Sequence, residues 1–207
     1  MRLLQGPEFS KYTDGFVHSK TVVSLNFSPN GMLLVSGSED CTAVIWSVAN
    51  MANLHVLSSH KTSITATAFI SDVTLATASA DGQLLLWDTS TGKNSKVIEQ
   101  AHSQSISHIS LSSGMVLFAT ASVDHTINVY EANSLKIVST IECDGAVRSL
   151  TFADNSVIVA GIDEIGLFSY HATNGKCIKQ YDFGSGVTAS VCATCKSIKQ
   201  IKILNLN

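Results

Sequence analysis

The chain has 207 residues, 45% of them hydrophobic and 14% charged, with 13 basic against 16 acidic residues and a net charge of −3. That apolar content is enough for a sizeable core and excludes a disordered chain, and without a run of either charge sign nothing points to a nucleic-acid channel or an anionic membrane surface. Apolar runs of about five to six residues fall far short of the ~20 that a membrane-spanning helix needs.

Residues Met1–Ser10 carry one Arg and two Leu but no apolar stretch, so they do not read as a secretory signal. The cysteines, Cys41, Cys143, Cys177, Cys192 and Cys195, are odd in number and irregularly spaced. With no signal segment, they predict reduced thiols and an intracellular, cytoplasmic or nuclear setting.

The first predicted strand is Val22–Phe27, a β-branched and apolar run with partial alternation. A turn follows at Ser28-Pro29-Asn30-Gly31, where Pro sets φ and Gly allows positive φ. Leu33–Val35 begins a buried strand that leads through an Asp-centred tight turn, Ser36-Gly37-Ser38-Glu39-Asp40-Cys41, to a third strand closing at Trp46. Leu54–Leu57 completes the set as a fourth strand.

The pattern then returns, with Ile64–Phe69, Val73–Leu75, the turn at Asp81, a third strand closing at Trp87, and Val97–Ile98. A third copy runs through Ile106–Leu111, Val116–Phe118, Asp124, Tyr130 and Ile137–Ile141. A fourth, eroded copy runs through Val147–Phe152, Val157–Val159, Asp163-Glu164, Tyr170 and Cys177–Tyr181. Four short strands in every ~41 residues, with no helical periodicity, predict an all-β chain of repeated four-stranded sheets.

Three copies also hold what could pass for a nucleophile, base and acid: Ser36, His18 and Asp40; Thr77, His60 and Asp81; Thr120, His102 and Asp124. A catalytic set needs a cleft and an oxyanion hole and occurs once; a set recurring at a fixed period is read as structural. The Cys192-Ala193-Thr194-Cys195 pair lacks the second ligand pair that zinc needs and the strand-to-helix setting of a redox motif, so no metal or cofactor is expected. Asn26-Phe27-Ser28 fits a glycosylation acceptor but lies in a predicted strand, and Gly184-Ser185-Gly186 is too short to cradle phosphate.

With its closing Trp87-Asp88 and the degenerate Trp46-Ser47, Tyr130-Glu131 and Tyr170-His171, the series resembles the WD-repeat β-propeller family from about Phe16 to Asp182. The resemblance implies a β-propeller of four-stranded antiparallel blades: repeats at 18–59, 60–101 and 102–142 and a degenerate one at 143–182. Residues 1–17 would be the outer strand of a preceding or composite blade, and 183–207 a partial fifth repeat. It also implies that the polar sets are buried hydrogen-bond relays: His18, Ser36, Asp40 and Trp46; His60, Thr77, Asp81 and Trp87; His102, Thr120, Asp124 and Tyr130.

On this reading relay quality falls along the chain. The first two copies are complete, the third has a Tyr whose hydroxyl sits elsewhere, and the fourth has Cys143, Ala160, Glu164 and Tyr170 at the matching places. Seven blades, common in the family, would need almost 290 residues at ~41 each. The residues flanking the four copies amount to about one more blade. Because Cys195–Asn207 does not repeat the Asp-turn and aromatic pattern, an open arc or a part of a longer propeller is favoured over a closed five-membered ring, and an open arc would expose apolar faces that promote self-association.

By resemblance the function is that of a non-catalytic scaffold or adaptor for other proteins or peptides. Its binding positions would be Glu39, Ala80, Val123 and Asp163 before the turn, and Lys20, Thr62, Gln104 and Gly145 after the His position. Ala80 and Val123, two small apolar groups on one face, are the more informative. The alternatives are a substrate-recognition subunit of a ubiquitin ligase and, disfavoured, a hydrolase on a propeller scaffold. Arg2 and Arg148 are the sole arginines, which argues against a phosphopeptide reader.

Overall fold

The computed structural model describes residues 17–181. The expected terminal strands, at residues 1–17 and 183–207, fall outside that range save for Val17, as do Cys192, Cys195 and the Gly184–Gly186 stretch. The described chain is all β, with sixteen strands in four antiparallel sheets of four, the blade architecture of a β-propeller. No helix among the described residues is long and apolar enough to cross a membrane.

The first blade is β1 (Val22–Phe27), β2 (Leu33–Ser38), β3 (Ala43–Ser47) and β4 (Asn53–Leu57). The second is β5 (Ile64–Phe69), β6 (Thr74–Ser79), β7 (Leu84–Asp88) and β8 (Asn94–Ile98). The third is β9 (Ile106–Leu111), β10 (Leu117–Ser122), β11 (Thr126–Glu131) and β12 (Ile137–Glu142). The fourth is β13 (Val147–Phe152), β14 (Val157–Ile162), β15 (Gly166–His171) and β16 (Cys177–Tyr181). Each sheet pairs its strands in sequence order, so short hairpins suffice.

The second and third strands of a blade are the most buried, each having a paired strand on both edges. Val73 and Val116, expected to begin such strands, instead sit exposed in the preceding turns, and the strands start one residue later, at Thr74 and Leu117. Hydrophobicity at a strand's first position does not bury it when the chain is still turning.

The chain divides after Glu99 into two compact units. In the first, Val35, Ala43, Ile45 and Leu57 of one blade pack with Ile64, Phe69, Leu75, Leu85 and Trp87 of the next. Gly37 is required there, since a Cβ on it would lie 2.7 Å from the Ile64 Cγ2 and 2.8 Å from that of Thr67. In the second unit, Ala119, Ile127, Val129 and Ile141 share a core with Leu150, Phe152, Ile158, Phe168 and Tyr170.

One face of β1 is uncovered. Val23, Leu25 and Phe27 are 45%, 54% and 60% exposed, whereas the residues matching Phe27 on β5 and β13, Phe69 and Phe152, are 3% and 8% exposed. In those later blades the preceding blade of the same unit packs on this side.

The tight turn between the second and third strands presents the polar relay. In the first two blades the second strand's last residue hydrogen-bonds across a three-residue loop, Ser38 N–H to Thr42 O and Ser79 N–H to Gln83 O, each at 3.1 Å, and the third blade has a loop of the same length. The loop's last residue is left-handed, with φ of 71° at Cys41, 81° at Gly82 and 69° at His125. In the fourth blade the left-handed residue is Glu164, one place earlier relative to the closing aromatic.

Candidate functional site

In the first blade the relay is a single chain of donors. The Asp40 carboxylate can only accept, so the His18 Nδ1–H donates to it at 3.0 Å, which leaves Nε2 as an acceptor for the Ser36 hydroxyl at 2.8 Å. The Trp46 indole N–H donates in turn to Ser36 Oγ at 2.9 Å. Asp40 also accepts from the Ser19 N–H at 2.8 Å and from the Thr42 hydroxyl and N–H at 2.6 and 2.9 Å. Burial opposes its ionisation, but the Thr42, Ser19 and His18 bonds outweigh that and hold its pKa down at about 2.

The Thr42 hydroxyl lies 3.1 Å from the His18 Nδ1, so it braces the imidazole and the carboxylate together. The third blade repeats the arrangement. His102 Nδ1 lies 3.1 Å from Asp124 Oδ2 and 2.9 Å from the Thr126 hydroxyl, and its Nε2 lies 2.7 Å from Thr120 Oγ1. The Ser103 N–H donates to Asp124 at 2.9 Å.

The second blade departs from its sequence-based expectation of a complete relay. His60 Nε2 meets Thr77 Oγ1 at 2.7 Å and the Trp87 N–H donates to the same oxygen at 2.8 Å, but the buried Nδ1 of His60 has no hydrogen-bond partner. Asp81 instead accepts the Ser79 hydroxyl at 2.6 Å and the Gln83 N–H at 3.3 Å. Gln83 stands where the first and third blades have Thr42 and Thr126, so the bracing β-hydroxyl is missing. Burial pushes the His60 pKa down to about 4, against the opposing pull of the Asp81 charge and the bond at Thr77.

The fall of relay quality along the chain is therefore not monotonic: the His–Asp contact is formed in the first and third blades and missing from the second. In the third blade Tyr130 stacks on Phe118 at 4.8 Å between ring centroids, and its buried hydroxyl lies beside Thr120 and Asn128 without a well-formed hydrogen bond. Asn128 is engaged elsewhere, donating to Ala101 O at 2.7 Å and accepting from the Thr140 hydroxyl at 2.6 Å. In the fourth blade burial pushes the Cys143 thiol up to about 11, and burial and that thiol also push the Tyr170 hydroxyl up.

The Ser36, Thr77 and Thr120 hydroxyls are fully buried and already bonded to histidine, so none can meet a substrate carbonyl. No three His, Cys, Asp or Glu side chains are grouped to hold a metal ion among the described residues.

The turn tips are locked by backbone bonds. The N–H of Glu39 donates to Thr21 O, Ala80 to Ser63 O, Val123 to Ser105 O and Asp163 to Ala146 O, at 2.8 to 3.0 Å. Of the positions proposed from the sequence, Lys20, Glu39, Ala80 and Gln104 are exposed, and Thr62, Val123 and Asp163 are half-buried. Gly145 is buried with Ile162 and Ile165 over it, so it offers no side-chain surface to a partner. Asp163 accepts from Arg148 Nε at 2.9 Å. Ala80 lies in the first unit and Val123 in the second.

The family model described as WD domain, G-beta repeat matches residues 11–47, 51–88 and 92–131, more than half of the chain. The chain belongs to the WD-repeat family. It is 30% identical over 108 residues to eukaryotic translation initiation factor 3 subunit I of Bombyx mori, covering 51% of this chain and 32% of that protein. It is 29% identical over 143 residues to protein hir1 of Schizosaccharomyces pombe, covering 60% of this chain and 15% of that protein. It is 25% identical over 174 residues to pre-mRNA-processing factor 19 of Oryza sativa subsp. japonica, covering 80% and 33%. The chain thus spans a third or less of these three relatives, and its fourth blade lies beyond the stretches that the family model matches.

Proposed function

We propose that this chain is a non-catalytic, intracellular interaction scaffold that binds other proteins or peptides through its turn tips. What carries the reading is the contrast within each tip. The relay and the turn backbone bonds fix the main chain, while the side chains of Lys20, Glu39, Ala80 and Gln104 are exposed and take no part in those bonds. A rigid frame under exposed, chemically mixed side chains lowers the ordering cost of binding. Cross-linking mass spectrometry on the affinity-purified chain tests this. Cross-links from Lys20 and neighbouring tip residues to a partner are expected; links confined to the outer strands β4, β8, β12 and β16 would overturn it.

A ubiquitin-ligase recognition subunit would use the same tips. Its phosphopeptide form is disfavoured because Arg148 is the sole arginine among the described residues and is paired with Asp163. Self-association has its own support in the exposed Val23, Leu25 and Phe27. Leu25→Asp should then shift a dimer to monomer in light scattering, and a monomeric wild-type chain would refute it.

A further inference from the structure

The second blade buries two polar atoms that no protein group satisfies, the His60 Nδ1 and the Thr62 hydroxyl. His60 is only 7% exposed, so its Nδ1 cannot turn to bulk solvent. The Asp81 carboxylate adjoins the Thr62 hydroxyl, and its charge acts on His60, as the matching aspartates act on His18 and His102 at 3.0 and 3.1 Å. Leaving such groups unpaired costs about 1–3 kcal/mol each, so a folded blade will fill the gap if a small partner fits.

The other blades indicate the partner's size and position. At the same place the Thr42 oxygen lies 3.1 Å from His18 Nδ1 and 2.6 Å from Asp40, and the Thr126 oxygen lies 2.9 Å from His102 Nδ1 and 2.7 Å from Asp124. One oxygen atom, able both to accept and to donate, completes each of those relays. In the second blade Gln83 supplies only its backbone N–H to Asp81.

We propose that the second blade binds one internal water between His60 Nδ1, the Thr62 hydroxyl and the Asp81 carboxylate, in the position of the Thr42 and Thr126 hydroxyls. The hydrogen count balances. The Trp87 N–H and His60 Nε2 are both engaged at Thr77, so Nδ1 carries the proton and donates it to the water. The water donates to Asp81 and exchanges its remaining bond with Thr62, making the roughly three bonds usual for a buried water. The Asp81 turn is then coupled to the His60 loop through a solvent molecule, whereas a threonine performs this in the first and third blades.

A crystal structure of the chain at a resolution that shows ordered solvent, paired with one of Gln83→Thr, tests the site. The expected result is a fully occupied water within hydrogen-bond distance of His60 Nδ1, replaced in Gln83→Thr by the new hydroxyl. Water magnetic relaxation dispersion in solution should count one fewer long-lived internal water in the variant. A dry wild-type site with Asp81 bonded directly to Nδ1 would overturn the proposal, as would an unchanged water count in the variant.

Discussion

The first two blades share a unit, a repeat and a His, hydroxyl, Asp and Trp at the relay positions, with Ser36 in one and Thr77 in the other, yet only the first closes its His–Asp contact. Among the differences between them, the one that bears on the carboxylate lies two places after the aspartate, Thr42 against Gln83. Thr42 donates to the carboxylate and braces the imidazole, so Asp40 turns towards His18 and also takes the Ser19 N–H. With Gln83 in its place, Asp81 turns to the Ser79 hydroxyl, and no bond joins the Lys61 N–H to it. A hydrogen-bond network is therefore set by its least conspicuous member, because a carboxylate goes wherever the most donors converge.

The largest expected effect concerns pH. The folded His60 pKa of about 4 lies below the ordinary 6.5, so the unfolded chain binds the proton more readily. The stability from keeping this imidazole neutral is present above pH 6.5 and lost as pH falls towards 4, by up to about 3 kcal/mol. Urea unfolding at pH 7 and pH 5 should show a steeper loss in the wild-type chain than in His60→Gln. Parallel losses would place the acid sensitivity outside the second blade.

Next comes the pair Asp40→Ala and Asp81→Ala. Removing Asp40 strips partners from His18, Ser19 and Thr42, whereas Asp81 is exposed and serves Ser79 and Gln83. Asp40→Ala should cost about 2 kcal/mol more than Asp81→Ala in chemical denaturation. Equal costs would mean that the two turns are energetically alike despite their geometry.

The smallest effect belongs to the third blade. Tyr130→Phe deletes a buried hydroxyl without a partner and keeps the ring stacked on Phe118, so it should be neutral or stabilise by about 1 kcal/mol. A clear loss would mean that the hydroxyl is satisfied in solution.

Much of the fold is legible in the sequence because a repeat displays its constraints several times. The first strands of all four blades, Val22–Phe27 among them, stand where alternation and turn residues put them. The buried starts expected at Val73 and Val116 fail, since a hydrophobic letter does not show whether its backbone has left the turn. Relay members carry recognisable side chains, but Thr42, Thr126 and Asn128 look like ordinary strand residues until the cross-strand register brings them beside their partners. A position-by-position reading two residues after each aspartate would have revealed the Thr, Gln, Thr series. Which tips a partner touches is not encoded periodically, because binding side chains differ from blade to blade.

The amide exchange of Ser19, Lys61 and Ser103, resolved by NMR, tests most directly whether the residue after the turn decides how the loop is held. The Ser19 and Ser103 N–H groups donate to turn carboxylates, and Lys61 has no such bond to Asp81. A charge-assisted bond of about 1.5–3 kcal/mol predicts that Lys61 exchanges roughly ten- to a hundredfold faster than the other two, after correction for intrinsic rates. Equal protection at all three amides would contradict the account.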